Sequence, residues 1–208
     1  ELKRVLEDHY RDCDAVVGKA MSYADDQTLI IVLSDHGMNG FRRGVHLNKW
    51  LYDNGLLALK NGYTPETGSG DFFPNVDWSR TKAYALGLSG IYLNQKDREE
   101  QGIVSESEAA MLKASLVKGL TDLTDPVKGK KPIRNVKTRE EIYNGAYAHE
   151  SPDLVVNFDG GYRVSWTTSL GGIPSEQFED NTKKWAGDHI IDPLLVPGIL
   201  FMNQNFEG

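Results

Sequence analysis

The residues best suited to chemistry in this chain stand together in Ser34-Asp35-His36-Gly37, directly after the apolar run Thr28-Leu29-Ile30-Ile31-Val32-Leu33. An aspartate beside a histidine joins a hard carboxylate oxygen to an imidazole nitrogen, the donor combination that Zn²⁺ or Mn²⁺ accepts. Neighbouring side chains on a regular strand point to opposite faces, but that alternation relaxes past the strand end. Gly37 tolerates the sharp turn that brings both donors to one point. Taken alone, an isolated Asp-His pair fits a capped loop at a strand end better than a metal site.

Other chemically capable residues read differently. Arg42 and Arg43 follow closely enough for a guanidinium to reach a bound phosphate, and fit exposed loop charges equally well. His46, at a helix start, reads as a solvated or capping side chain rather than a phosphate ligand. His9 and His149 read as surface histidines. Gly87-Leu88-Ser89-Gly90 lacks the second spacer of a G-x-S-x-G nucleophile elbow and joins strand to strand, so it reads as a hairpin turn.

The elements that must position Asp35 and His36 begin with the run from Thr28 to Leu33. Nearly continuous apolarity and β-branching predict a central parallel strand covered on both faces by helices. Asp35 and His36 then emerge at its carboxyl end, where open α/β sheets place ligands. From Leu2 to Met21 the apolar residues recur at helical spacing, predicting an amphipathic helix packed on the sheet, with Cys13 as a small apolar residue within it. A short helix is expected over His46 to Asn54, with Trp50 as its core anchor, and a long loop over Gly62 to Asn75. Strands are expected at Lys82 to Leu86, Gly90 to Leu93, Asp153 to Phe158 and Pro197 to Met202. Ser105 with Glu108 and Thr138 with Glu141 match capping boxes that start two further helices, ending near Leu120 and Gly145. The pattern predicts an α/β fold with a largely parallel sheet and helices on both faces, with residues 61–150 forming a peripheral α+β segment of one domain.

The chain has 208 residues, 23 Lys and Arg against 30 Asp and Glu, and a formal charge of −7. Its densest cationic stretch, Lys128 to Lys131, is short and broken by Gly129, so no surface for nucleic acid is expected. A field of this sign repels polyanions, and any phosphate ester must be met by a small, focused site. No apolar run approaches the roughly 18 residues that span a bilayer. The lone Cys13 excludes an intramolecular disulfide.

Leu33-Ser34-Asp35-His36-Gly37-Met38 resembles the metal-binding motif of the type I phosphodiesterase and nucleotide pyrophosphatase branch of the alkaline phosphatase superfamily. The likeness extends through Arg43-Gly44-Val45-His46-Leu47-Asn48-Lys49-Trp50-Leu51, Ala83-Tyr84-Ala85-Leu86, Gly90-Ile91-Tyr92-Leu93-Asn94, Ser151-Pro152-Asp153-Leu154-Val155-Val156 and Gly187-Asp188-His189. The resemblance implies an alkaline phosphatase-like fold and two divalent ions, with zinc favoured over manganese. It makes Asp35 and His36 ligands of one ion and His189 a ligand of the other, all converging at the carboxyl end of the sheet. Asp188 is either a partner that orients His189 or a plain loop carboxylate, and Trp166 and Trp185 are candidate pocket walls. The expected substrate is a small phosphate ester, cleaved by a Ser or Thr nucleophile. Members carry that nucleophile, with an Asp-x-x-x-His pair, upstream of the Asp-His-Gly motif, and the residues before Asp35 reproduce neither. The chain is thus expected to be the C-terminal portion of the enzyme, without a catalytic nucleophile and inactive alone. Alternatives are a phosphoglycerate mutase-like or sulfatase-like member of the superfamily, or a non-catalytic metal-binding or interaction domain.

Overall fold

The computed structural model describes residues 2–205. After a 3-10 turn at Leu2–Arg4 come α1 (Val5–Met21), β1 (Ile31–Leu33), β2 (Asn39–Val45), α2 (Leu47–Asp53) and α3 (Pro65–Gly68). These lead to β3 (Ala83–Leu86), β4 (Gly90–Leu93), α4 (Glu106–Asp122), β5 (Ile133–Thr138) and α5 (Arg139–Ile142). The chain continues through β6 (Leu154–Phe158), β7 (Gly161–Val164), α6 (Trp166–Ser169), β8 (Phe178–Asp180), β9 (Gly187–Asp188) and β10 (Leu200–Met202). Among the described residues no helix is long and apolar enough to cross a membrane.

Two compact units share these elements: one joins the residues up to Gly37 with those from Pro197 onward, and the other spans Met38–Val196. In the first, β1 and β10 form an antiparallel pair, Val32 opposite Phe201, extended by the bond from Ile30 N–H to Asn203 Oδ1 at 2.9 Å. Exposure alternates along the strand run. Ile30 and Val32 line a small cavity with Val17 and Met21 of α1, while Leu29, Ile31 and Leu33 are exposed. The expected strand is therefore shorter than predicted, antiparallel, and covered on one face among the described residues. The reason lies in its partner: β10 arrives from the far end of the chain in the opposite direction. Helix α1 has no buried residue, and Val5, Leu6 and Val16 of its apolar stripe are exposed.

The second unit holds the hydrophobic core, which includes Leu47, Leu51, Ile91, Leu116, Leu154 and Phe158. One sheet, ordered β3-β4-β6-β5, is antiparallel throughout. A second is built on β2, which pairs parallel with β7 and antiparallel with β8 and β9. The largely parallel sheet predicted from the alternation of helices and strands is thus corrected: β2–β7 is the one parallel ladder between the described strands. A three-residue turn with Gly87 at φ 72° and Ser89 at φ 79° joins β3 to β4. So short a link can only return the chain antiparallel, because parallel strands need a crossover of a dozen residues or more.

Local signals formed the helices where they were read. Ser105 and Glu108 make the capping box of α4, with Ser105 N–H donating to Glu108 Oε2 at 3.0 Å, and Thr138 with Glu141 caps α5 in the same way. In β6, Leu154, Val156 and Phe158 alternate inward, each burial contributing about 2 kcal/mol. Helix α2 buries Leu47, Trp50 and Leu51 against this core. It also sends Asn48 to β3, where its amide donates to Ala85 O at 2.9 Å and accepts Ala85 N–H at 2.7 Å. A side chain thereby completes the edge of that sheet.

Candidate functional site

In the first unit, the loop carrying Asp35 and His36 is anchored where it leaves β1. Ser34 N–H donates to Ile199 O at 3.1 Å and Ser34 Oγ accepts Ile199 N–H at 2.9 Å. Gly198 permits this approach, since a Cβ there would stand 2.9 Å from Ser34 O. Beyond the anchor, Asp35 Oδ1 accepts the His36 N–H at 3.0 Å, which curls the carboxylate back over the next residue. Asp35 Oδ2 then lies 3.2 Å from His36 Nε2.

The other ring nitrogen decides what this contact means. His36 Nδ1 is 2.8 Å from Gly37 O, and because a carbonyl only accepts, Nδ1 carries the hydrogen. His36 Nε2 and the Asp35 carboxylate therefore face each other, an arrangement stabilised by a proton on Nε2 or by a cation held between the two. Two donor atoms each about 2.0–2.1 Å from one tetrahedral ion are about 3.3 Å apart. The observed 3.2 Å accommodates that spacing and is equally the distance of an imidazolium–carboxylate ion pair. A backbone carbonyl on the far ring nitrogen is also the usual way a ligating histidine is oriented. The donor pair fits a zinc-sized cation, and Asp35, with its side chain 84% exposed, is open to receive one.

His189 belongs to the second unit, just past β9, whose Gly187 and Asp188 pair with Gly40 and Asn39 of β2. Asp188 Oδ1 accepts the backbone N–H groups of His189 at 2.8 Å and Ile190 at 2.9 Å. Its other oxygen pairs with Nη1 of Arg163, which is fully buried. The guanidinium lies 4.0 Å from the Trp166 ring centroid, and burial lowers its pKa against the opposing pull of Asp188. Asp188 is thus a structural clamp on the backbone of the His189 loop. Trp166 covers Arg163, and Trp185 is exposed. Within each unit taken by itself, the described residues gather no set of three or more His, Cys, Asp or Glu side chains for a metal.

A family model of type I phosphodiesterases / nucleotide pyrophosphatases matches residues 3–189, a span that contains Asp35, His36 and His189. The chain belongs to this phosphodiesterase family. That membership is consistent with the alkaline phosphatase superfamily and with the hydrolysis of phosphoesters in general. Neither the curated proteins nor the solved structures gave a match.

In this member of the family, the candidate phosphate contacts divide. Arg43 is buried in β2, its Nε 2.7 Å from Asp125 Oδ2 as an ion pair and its Nη1 bonded to Asp180. Those carboxylates raise its pKa against the desolvation that would lower it. Arg42 is exposed on the same strand, not in a loop. His46 stands at the N-cap of α2, but its side chain makes no cap bond and is not solvated: it is 3% exposed, with Nδ1 2.6 Å from Ser165 Oγ and Nε2 3.7 Å from Glu179 Oε2. Burial lowers its pKa to about 4. Ser165, His46 and Glu179 have the connectivity of a hydrolase triad, but Ser165 is 1% exposed and its Oγ accepts the Thr168 N–H as the cap of α6. A nucleophile must reach substrate, and this hydroxyl is enclosed. Nothing local in the sequence signals the contact, because its members lie on three separate segments.

Proposed function

We propose that this protein hydrolyses phosphodiesters or nucleotide pyrophosphates at a site of two divalent ions, zinc in preference to manganese. Asp35 and His36 hold one ion and His189 contributes to the other. The nucleophile is a Ser or Thr from polypeptide outside these 208 residues. The observation that carries this reading is the Asp35 and His36 arrangement, Oδ2 and Nε2 facing each other 3.2 Å apart with the other ring nitrogen of His36 held by Gly37 O. When bound, divalent ions supply charge neutralisation to the phosphoryl oxygens and to the attacking and leaving oxygens of an in-line displacement.

The chain's own residues supply orientation. Asp35 brings the negative charge that retains a cation, Gly37 O keeps Nε2 as a donor to it, and Asp188 with Arg163 holds the backbone beside His189.

The test uses the complete encoded protein, stripped of metal with chelator and then titrated with zinc. Turnover of bis(p-nitrophenyl) phosphate, p-nitrophenyl phosphate and p-nitrophenyl sulfate is followed beside metal content. The expected result is two zinc ions per chain and fastest turnover of the diester. Zinc-independent turnover, or a preference for the sulfate ester, would overturn the proposal.

A further inference from the structure

We propose that Arg42, Lys128 and Lys130 form a binding site for a small multivalent phosphate anion in the second unit. The cavity is about 220 Å³ and is lined by these three residues with Arg43, Gly160, Gly161 and Tyr162. It does not depend on the metal-site reading above, since neither Asp35, His36 nor His189 lines it.

The site is built on a fixed frame. Residues 125–130 form a tight turn in which Asp125 N–H donates to Lys130 O at 2.8 Å and Gly129 N–H to Asp125 O at 2.8 Å. Gly129 stands at φ 63° to close it. Asp125 Oδ1 accepts the Val127 N–H at 2.9 Å, so the turn is organised around this buried carboxylate. Asp125 is in turn held by Arg43 of β2 and by the Tyr162 hydroxyl of β7 at 3.0 Å. The basic turn is thereby tied to the β2–β7 ladder, where Arg42 is exposed. Gly161, at φ 88°, lies beside the Arg42 stem: a Cβ there would meet Arg42 Cγ in ordinary contact at 3.7 Å.

Charge placement identifies the ligand. Of the nearby carboxylates, Asp125 is held by Arg43 and Tyr162 and Asp180 by Arg43, while the half-exposed Asp159 stands 3.9 Å from Arg134. Just outside the cavity, Lys131 pairs with Asp122 at 3.0 Å. Among the described residues no ion pair engages Arg42, Lys128 or Lys130. Three cations without carboxylate partners thus face one pocket, on a chain whose net charge of −7 repels extended polyanions. A compact anion with several phosphoryl oxygens meets all three heads and leaves the wider negative field behind.

The experiment is calorimetric titration of inorganic pyrophosphate into the complete protein, in metal-free buffer of low ionic strength. Saturable binding is expected, weakened roughly tenfold by Lys130→Ala and by Arg42→Ala, and changed less than about twofold by Lys131→Ala. These are exposed positions, and an unchanged urea midpoint checks that each variant folds. ADP carries the same pyrophosphate on a nucleoside. Binding of ADP with the same dependence on Lys130 supports the site with a nucleotide as the source, and pyrophosphate binding without ADP supports it with the free anion. Absence of saturable binding, equal weakening by Lys131→Ala, or wild-type affinity in the Arg42→Ala, Lys128→Ala, Lys130→Ala triple variant would overturn the proposal.

Discussion

Asp188 accepts the backbone N–H of His189 at 2.8 Å through one carboxylate oxygen and pairs with the fully buried Arg163 through the other. The position of the histidine backbone is therefore tied to a guanidinium inside the second unit. Arg163 also donates from Nε to Val164 O at 2.9 Å, and its Nη2 has no hydrogen-bond partner. A buried cation with an unmatched donor depends strongly on the carboxylate bonded to it, Asp188, with Glu179 adding only a longer-range attraction.

Removal of that carboxylate by Asp188→Ala is expected to destabilise the second unit by about 3 kcal/mol, because Arg163 is left buried with no bonded carboxylate and only the longer-range attraction of Glu179. Urea unfolding followed by tryptophan fluorescence measures the loss. The double variant Arg163→Met, Asp188→Ala is expected to recover part of it, since no buried charge remains. A single-variant cost below about 1 kcal/mol would show that the clamp does not hold the loop.

His46 gives a pH dependence of defined sign. Burial lowers its pKa to about 4, against an ordinary value of 6.5. Between these values the unfolded chain binds a proton that the folded chain does not, so stability falls as pH drops through that window and is fully present above it. The contribution is about 3 kcal/mol at most. Unfolding titrations from pH 7 to pH 4 on wild type and His46→Gln test this. The variant, whose amide does not titrate, is expected to lose most of the slope, and an unchanged slope would exclude His46 as its source.

Gly171 is expected to refuse a side chain. It stands at φ 88°, and a Cβ there would lie 2.8 Å from the Phe73 ring. The Phe73 ring packs edge-on to Trp78 and Tyr84 with centroids 5.4 and 5.5 Å away, so it has little room to retreat. Gly171→Ala should cost roughly 2 kcal/mol or more from backbone and contact strain together. Pairing it with Phe73→Leu should recover the contact part in a double-mutant cycle. Equal costs in both backgrounds would leave the backbone alone responsible.

What was legible in the sequence follows the range of the interaction concerned. The capping boxes at Ser105 and Thr138 join residues three apart, and both helices start where those pairs stand. The turn at Gly87 to Ser89 and the alternation in β6 are equally local. Strand direction is not, since β1 is paired by β10 from the other end of the chain, and apolarity on both faces of β1 could not reveal that. His46 and Asn48 fail to read as core residues for a related reason: a polar side chain is buried when distant groups satisfy it, here Ser165 and Ala85. At the candidate site, Asp35 and His36 were readable because they are adjacent. The clamp on His189 was not, because Arg163 and Trp166 lie on other elements.

The last prediction concerns Asp35 directly. In Asp35→Asn the amide oxygen can still accept the His36 N–H that Oδ1 accepts at 3.0 Å, so the loop keeps its shape and loses only the anionic donor facing Nε2. Stability of the complete protein in chelator should therefore match wild type, the Asp35 side chain being exposed. Excess zinc should separate the two proteins. A ligand that binds only the folded state adds about 2.7 kcal/mol at a hundredfold excess over its dissociation constant, and a site without its carboxylate binds too weakly to collect that gain. Wild type should show a zinc-dependent rise in thermal midpoint that the variant largely lacks, together with loss of one zinc per chain and of diester turnover. If the variant instead retains both ions and normal turnover, Asp35 is not a ligand, and its approach to His36 is a feature of the loop alone.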